Sequence, residues 1–128
     1  MKLTNNPLMF TTFSLMLLLF IDSTLGATLT GGYHEIKDIN DPSIKLIAEF
    51  AVYEFNQQKK TNLVLKEIKK GYYQIVAGTN YRLFISAVDK HDDHKSINDY
   101  VTVVYEGLPS QNPVLKLVSF DRLLKTKN

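Results

Sequence analysis

An α+β fold, with one N-terminal helix packed across a four- to five-stranded antiparallel sheet, is what the chain predicts, and three observations carry that expectation. Ile44, Ile47, Ala48, Ala51 and Phe55 recur at the spacing of a single helix face. Tyr81, Leu83, Ile85 and Ala87 alternate with Asn80, Arg82, Phe84 and Ser86, the period of a strand with one face on a core. The connections between the later apolar runs are short, at Ala77-Gly78, Asp89 to Ser96 and Leu108 to Pro113, so neighbouring strands meet as hairpins.

The elements follow in order. Lys2, the apolar run Leu8 to Ile21 and the small-residue stretch Ser23-Thr24-Leu25-Gly26-Ala27 have the layout of a secretory signal peptide over residues 1–26, cleaved after Gly26. An uncleaved anchor is the alternative, but the run is short of the roughly 20 apolar residues a spanning helix needs. The expected mature domain is residues 27–128, secreted to an extracellular or vacuolar compartment and free of the membrane after cleavage. Tyr33 to Ile36 form a short strand. Asp41 is a good helix N-cap, and Pro42 fits the first turn, where its missing N–H has no partner to lose. The small side chains of Ala48 and Ala51 let a sheet approach the helix closely. The polar run Asn56-Gln57-Gln58-Lys59-Lys60 ends it. Leu63, Leu65 and Ile68 step by two and then by three, which predicts a bulge near Lys66-Glu67. Asp99 to Tyr105 and Val114 to Phe120 supply two further strands rich in β-branched and aromatic residues.

Composition narrows the function classes. With 128 residues the chain holds one domain, and with no cysteine its core must hold by packing alone, without a thiol nucleophile or a cysteine zinc site. A net charge of +2 with both signs interspersed gives no basic stripe for nucleic acid. No Ser, His and acid arrangement, Gly-rich phosphate loop or carboxylate pair stands out, so no catalytic residue, enzyme activity or cofactor is expected. His91-Asp92-Asp93-His94 contains ligand types suited to zinc, yet it falls in a charged turn without further ligands fixed nearby, and a solvated turn is the favoured reading. No metal is expected.

Gln74-Ile75-Val76-Ala77-Gly78 is the feature that points to a partner. Gly78 allows a tight reversal and a close backbone approach, while Ile75, Val76 and Ala77 are apolar residues at a hairpin tip. By itself the segment also reads as a buried strand end with a Gly turn, and that plainer reading is favoured on the residues alone. The pentapeptide resembles the Gln-x-Val-x-Gly hairpin of the cystatins, and Ile47-Ala48-Glu49-Phe50-Ala51-Val52-Tyr53-Glu54-Phe55-Asn56 resembles the helix motif of their plant branch, the phytocystatins. Gly31-Gly32, preceded by Leu29 and Thr30, resembles the cystatin N-terminal trunk. The resemblance extends through the Leu63, Leu65, Ile68, Gly71 spacing to the closing Leu117-Val118-Ser119-Phe120.

What the resemblance implies is a cystatin-like fold and reversible, competitive inhibition of papain-like cysteine proteases by a monomer. Gly31 and Gly32, the loop Gln74, Ile75, Val76, Ala77 and Gly78, and a second loop with Leu108, Pro109 and Ser110 would form a wedge that fills the protease cleft. The chain departs from the family at that second loop, where cystatins carry Pro-Trp and this sequence has no Trp. Pro109 keeps the Pro position, and Ser110 or Gln111 stands in the Trp position according to the alignment. Loss of a buried interface Trp costs about 2 kcal/mol or more, which implies inhibition weaker by about one to two decades. A cystatin-fold binding or storage module that has lost inhibition is the alternative, and a small secreted ligand carrier a more distant one. The chain ends at Asn128 without the C-terminal extension that longer plant cystatins use against legumain-type proteases, so that activity is not expected.

Overall fold

Residue periodicity and capping place one helix ahead of the sheet. In the computed structural model, which describes residues 32–125, that helix is α1 (Pro42–Lys59), preceded by a two-residue strand β1 (His34–Glu35). The chain divides into two units, Met1–Gly32 and Tyr33–Asn128. The signal-peptide reading of residues 1–26 and the positions Leu29, Thr30 and Gly31 lie outside the described residues. Asp41 caps α1 as expected, its Oδ1 accepting from the Ser43 hydroxyl at 2.7 Å and the Ser43 N–H at 2.9 Å. These two hydrogen bonds, the hydroxyl's first, hold the Asp41 carboxyl below its ordinary pKa. Lys60 ends the helix in the left-handed region, and its N–H donates to Asn56 O.

Asn56 then ties the helix end to the sheet. Its Nδ2 donates to Leu63 O at 3.0 Å, and its Oδ1 accepts from Leu63 N at 2.9 Å and from the Thr61 hydroxyl at 2.9 Å. The side-chain amide thus pairs with Leu63 as a neighbouring strand's backbone would. Both polar backbone groups of a buried residue are satisfied by one side chain.

Strands β2 (Leu63–Val76), β3 (Gly78–Asp89), β4 (Ile97–Glu106) and β5 (Leu115–Arg122) follow. The sheet is a five-stranded antiparallel meander in the order β1-β2-β3-β4-β5. The expected bulge in β2 is present between Leu65 and Glu67, and a second lies between Ile68 and Lys70. Leu65, Ile68 and Gly71 advance in steps of three, and each step needs one extra residue to keep the next position on the helix side. The second step was silent in the apolar pattern because it ends at a glycine. A Cβ on Gly71 would stand 2.7 Å from Leu83 Cδ2 and 3.0 Å from Ile36 Cδ1.

The core lies between α1 and the inner sheet face. Ile44, Ile47, Ala48 and Ala51 meet Leu63, Leu83, Ile85, Ala87, Tyr100 and Val104 there, joined by Val52, which the helical stripe did not include. Phe55 is half-buried and stacks on Phe120 with ring centroids 4.1 Å apart. One expectation needs correction. Ser86, on the outer face of β3, is buried rather than solvated, and so is Val88, which the alternating run did not include. β3 is the middle strand, so its outward side chains are walled in by those opposite on both neighbours, Glu67 and Asp99 around Ser86, and Val64 and Ile97 around Val88. Further along the same face Phe84 lies beneath the cations of Lys70, 4.6 Å from the ring centre, and Arg82, at 5.4 Å.

Candidate functional site: two hairpin loops at one end of the sheet

The β2–β3 hairpin turns as tightly as its register allows. Val76 pairs with Gly78, which leaves Ala77 alone at the tip. Gly78 has φ +120°, and a Cβ there would sit 2.5 Å from Glu106 O and 2.6 Å from the Tyr105 hydroxyl. Glycine is therefore required twice, by its own conformation and by the close approach of β4. Ile75 is 68 % exposed and Val76 37 %, with Ala77 exposed and Gln74 half-buried. A buried strand end would have hidden these side chains. The apolar tip faces water instead.

The β4–β5 loop spans residues 107–114. Gly107 N–H donates to Val114 O at 2.7 Å across its neck, and Gln111 N–H to Leu108 O at 2.9 Å within its turn. Leu108 is 50 % exposed at the crest beside exposed Pro109 and Ser110. The peptide between Asn112 and Pro113 is cis. The two candidates for the Trp position behave differently. Ser110 stands open, whereas the Gln111 side chain folds back over Gly107, where a Cβ would overlap its amide oxygen. That oxygen accepts from Leu108 N–H at 2.9 Å and from the Tyr105 hydroxyl at 3.2 Å.

Tyr105 brings the loops together. Its hydroxyl, on the outer face of β4, also donates to Ala77 O at the hairpin tip. Gln74 to Gly78 and Leu108 to Ser110, read separately from the sequence, thus lie side by side at one end of the sheet. Sequence reasoning passed over Tyr105, Gly107 and the inward role of Gln111. The one signal was a strand tyrosine two residues before a glycine. Just behind, the Tyr81 hydroxyl approaches Glu106 Oε1 at 3.5 Å. Burial pushes the Tyr81 phenol pKa up, and the negative charge of Glu106 adds to the rise. Gly32 is exposed, with open space where a Cβ would go.

The other motif resolves into turn structure. Asp89 Oδ1 accepts from His91 N–H at 2.9 Å, and Asp92 accepts from His94 N–H at 3.1 Å and Ser96 N–H at 3.4 Å. These carboxylates shape the turn. Among the described residues no cluster of three or more His, Cys, Asp or Glu could hold a metal ion.

Residues 36–123 match the SQAPI family model, described as an aspartic acid proteinase inhibitor. Over 76 residues the chain is 38% identical to Cysteine proteinase inhibitor 1 of Actinidia chinensis var. chinensis, a match covering 59% of this chain and 62% of that protein. The chain belongs to the plant cystatin family. This cystatin spans less than two thirds of that relative's length. It is also similar to the solution structure of the squash aspartic acid proteinase inhibitor, with 33% identity, a TM-score of 0.54, and coverage of 71% of this chain and 92% of that one. A salivary cystatin from the soft tick Ornithodoros moubata shares the fold, with a TM-score of 0.60 at 21% identity over 73% of this chain and 98% of that one. The cystatin's relatives therefore carry two protease classes in their names. One helix across a five-stranded antiparallel sheet is the fold seen here, and the likeness to both solved structures is a likeness of fold.

Proposed function

We propose that this cystatin, secreted after removal of residues 1–26 and acting as a monomer, is a reversible competitive inhibitor of papain-like cysteine proteases. The observation that carries the reading is the exposure of Ile75, Val76 and Leu108 on two adjoining loops. Burying an aliphatic side chain of this size in a partner's cleft contributes about 1.5 to 3 kcal/mol, so a few such contacts from a preformed edge account for useful affinity. By the cystatin resemblance alone, Gly31 and Gly32 belong to the same wedge as a trunk. No covalent step is involved, and the chain acts as a plug, not as an enzyme. Without a Trp in the second loop, inhibition is weaker by about one to two decades than for a cystatin that has it.

A second reading is favoured by one specific observation. The family description matched by residues 36–123 and the squash relative both name aspartic proteinases, and the missing Trp removes a contact that the cysteine-protease reading would use. The deciding experiment titrates the mature chain from Ala27 against papain and against pepsin, with a check for competition. Competitive inhibition of papain alone supports the first reading. Inhibition of pepsin alone replaces it with the second. A folded sample that inhibits neither at micromolar concentration leaves the alternative of a cystatin fold that has lost inhibition.

A further inference from the structure

We propose that Tyr105 and Gln111 are positioning residues that clamp the β2–β3 hairpin tip and the β4–β5 loop into one body, so that Ile75, Val76 and Leu108 meet a protease as a single preformed edge. The protease part of this statement rests on the inhibitor reading above; the clamp itself is a property of the free protein.

The clamp is a continuous chain of hydrogen bonds from one loop's backbone to the other's. Leu108 N–H donates to Gln111 Oε1 at 2.9 Å, the Tyr105 hydroxyl lies 3.2 Å from the same oxygen, and that hydroxyl also reaches Ala77 O. A phenol has one hydrogen, so the hydroxyl divides it between the tip carbonyl and the Gln111 oxygen. The Leu108 donor fixes which end of the Gln111 amide points inward, since an NH2 group there would face an N–H. Both glycines beside the clamp make room for it. Gln111 folds into the space a Cβ on Gly107 would occupy, and the Tyr105 hydroxyl takes the space beside Gly78. A position where the family's Trp could stand therefore holds a residue that orders the loop from within. Ordering it beforehand lowers what binding must otherwise supply.

The experiment measures amide hydrogen exchange at Leu108 in the free mature chain, together with inhibition constants, for Tyr105→Phe, Gln111→Met and the double variant. Gln111→Met removes the acceptor and speeds Leu108 exchange about five-fold, the worth of one neutral hydrogen bond. Tyr105→Phe, which leaves that amide's acceptor in place, also speeds it, because Gln111 loses its anchor. Each single variant weakens inhibition about five-fold, the double variant no further than either alone, and Gln111→Glu, which keeps an acceptor oxygen, restores wild-type behaviour. Unchanged Leu108 exchange in Tyr105→Phe overturns the clamp, as do additive losses in the double variant. If the wild-type chain inhibits neither papain nor pepsin, the inhibitor reading falls, while Leu108 exchange still decides the clamp.

Discussion

The two ends of the sheet solve the same problem with opposite surfaces. At the end where α1 hands over to β2, Asn56 satisfies both backbone groups of Leu63, and Asp89 and Asp92 satisfy the N–H groups of the β3–β4 turn. That turn presents Lys90, His91, Asp92, Asp93, His94, Lys95 and Ser96, every one of them polar. At the other end Tyr105 and Gln111 do the equivalent ordering, yet the side chains left in water are Ile75, Val76 and Leu108. Turns need internal hydrogen bonds whatever they face, so the presence of such bonds does not by itself mark a binding surface. Apolar residues exposed on the turns themselves do, whereas the exposed apolar residues of the polar end, Ile97 and Leu124, lie at strand ends outside its turn.

That contrast yields variants that should separate binding from stability. The largest expected effect is at Gly78. Gly78→Val places a β-branched residue at φ +120° with its Cβ against Glu106 O, and it should weaken inhibition about a hundredfold through local strain and separation of the loops. Inhibition constants and a urea melt on the same sample test this; wild-type inhibition by the variant would break the comparison. Next comes the polar end. Asn56→Ala strands the N–H and C=O of Leu63 and should cost about 2 kcal/mol of stability in denaturant titration, with the inhibition constant unchanged. A matching loss of inhibition would show that the ends are not independent.

A smaller effect sharpens the reading of the second loop. Ser110→Trp adds an aromatic at an open crest position without disturbing Gln111, and should strengthen inhibition of a papain-like protease about tenfold. Gln111→Trp breaks the bonds to Tyr105 and Leu108, and should gain less or lose. The smallest effect is alkaline. Burial raises the phenol pKa of Tyr81, with Glu106 adding to it, and burial likewise raises that of Tyr100. Both are held neutral by the fold, so their contribution is complete below the unfolded value of about 10 and is lost as pH rises beyond it. Urea midpoints between pH 9 and 11 should fall, and Tyr81→Phe should fall less; an equal fall would assign the effect elsewhere.

Much of this architecture could be read before any coordinates, for reasons visible in particular residues. Asp41-Pro42 and the stripe from Ile44 to Phe55 are local signals, set by neighbours within a turn or two, and the alternation from Asn80 to Ala87 is another. The second β2 bulge was hidden because Gly71 contributes no side chain to the pattern. Burial of Ser86 and Val88 depends on β3 having a strand on each side, which alternation within one strand does not report. At the site, Gln74 to Gly78 and Leu108 to Ser110 stood out as segments. The Tyr105 hydroxyl joins carbonyl and amide groups from separate loops, with Ala77 lying 28 positions away in the chain. Such a contact follows from β3–β4 register, and register is not written in either loop.

Thr102 bears on that loop from a distance. Its side chain is fully buried under the helix, and its hydroxyl donates to Ser119 O at 2.8 Å, beside the irregularity at which β5 carries an additional residue against Val103 and Val104. Sliding β5 along β4 would leave that hydroxyl without a partner in a dry interior, at a cost of about 1 to 3 kcal/mol. Among the described residues β5 has a neighbour strand on one side only, so sliding is the displacement its pairing resists least. The residues between Glu106 and Leu115 are whatever this alignment leaves over. A threonine in the middle of the sheet therefore acts as a ruler for the crest that carries Leu108, measuring out how much chain reaches the surface.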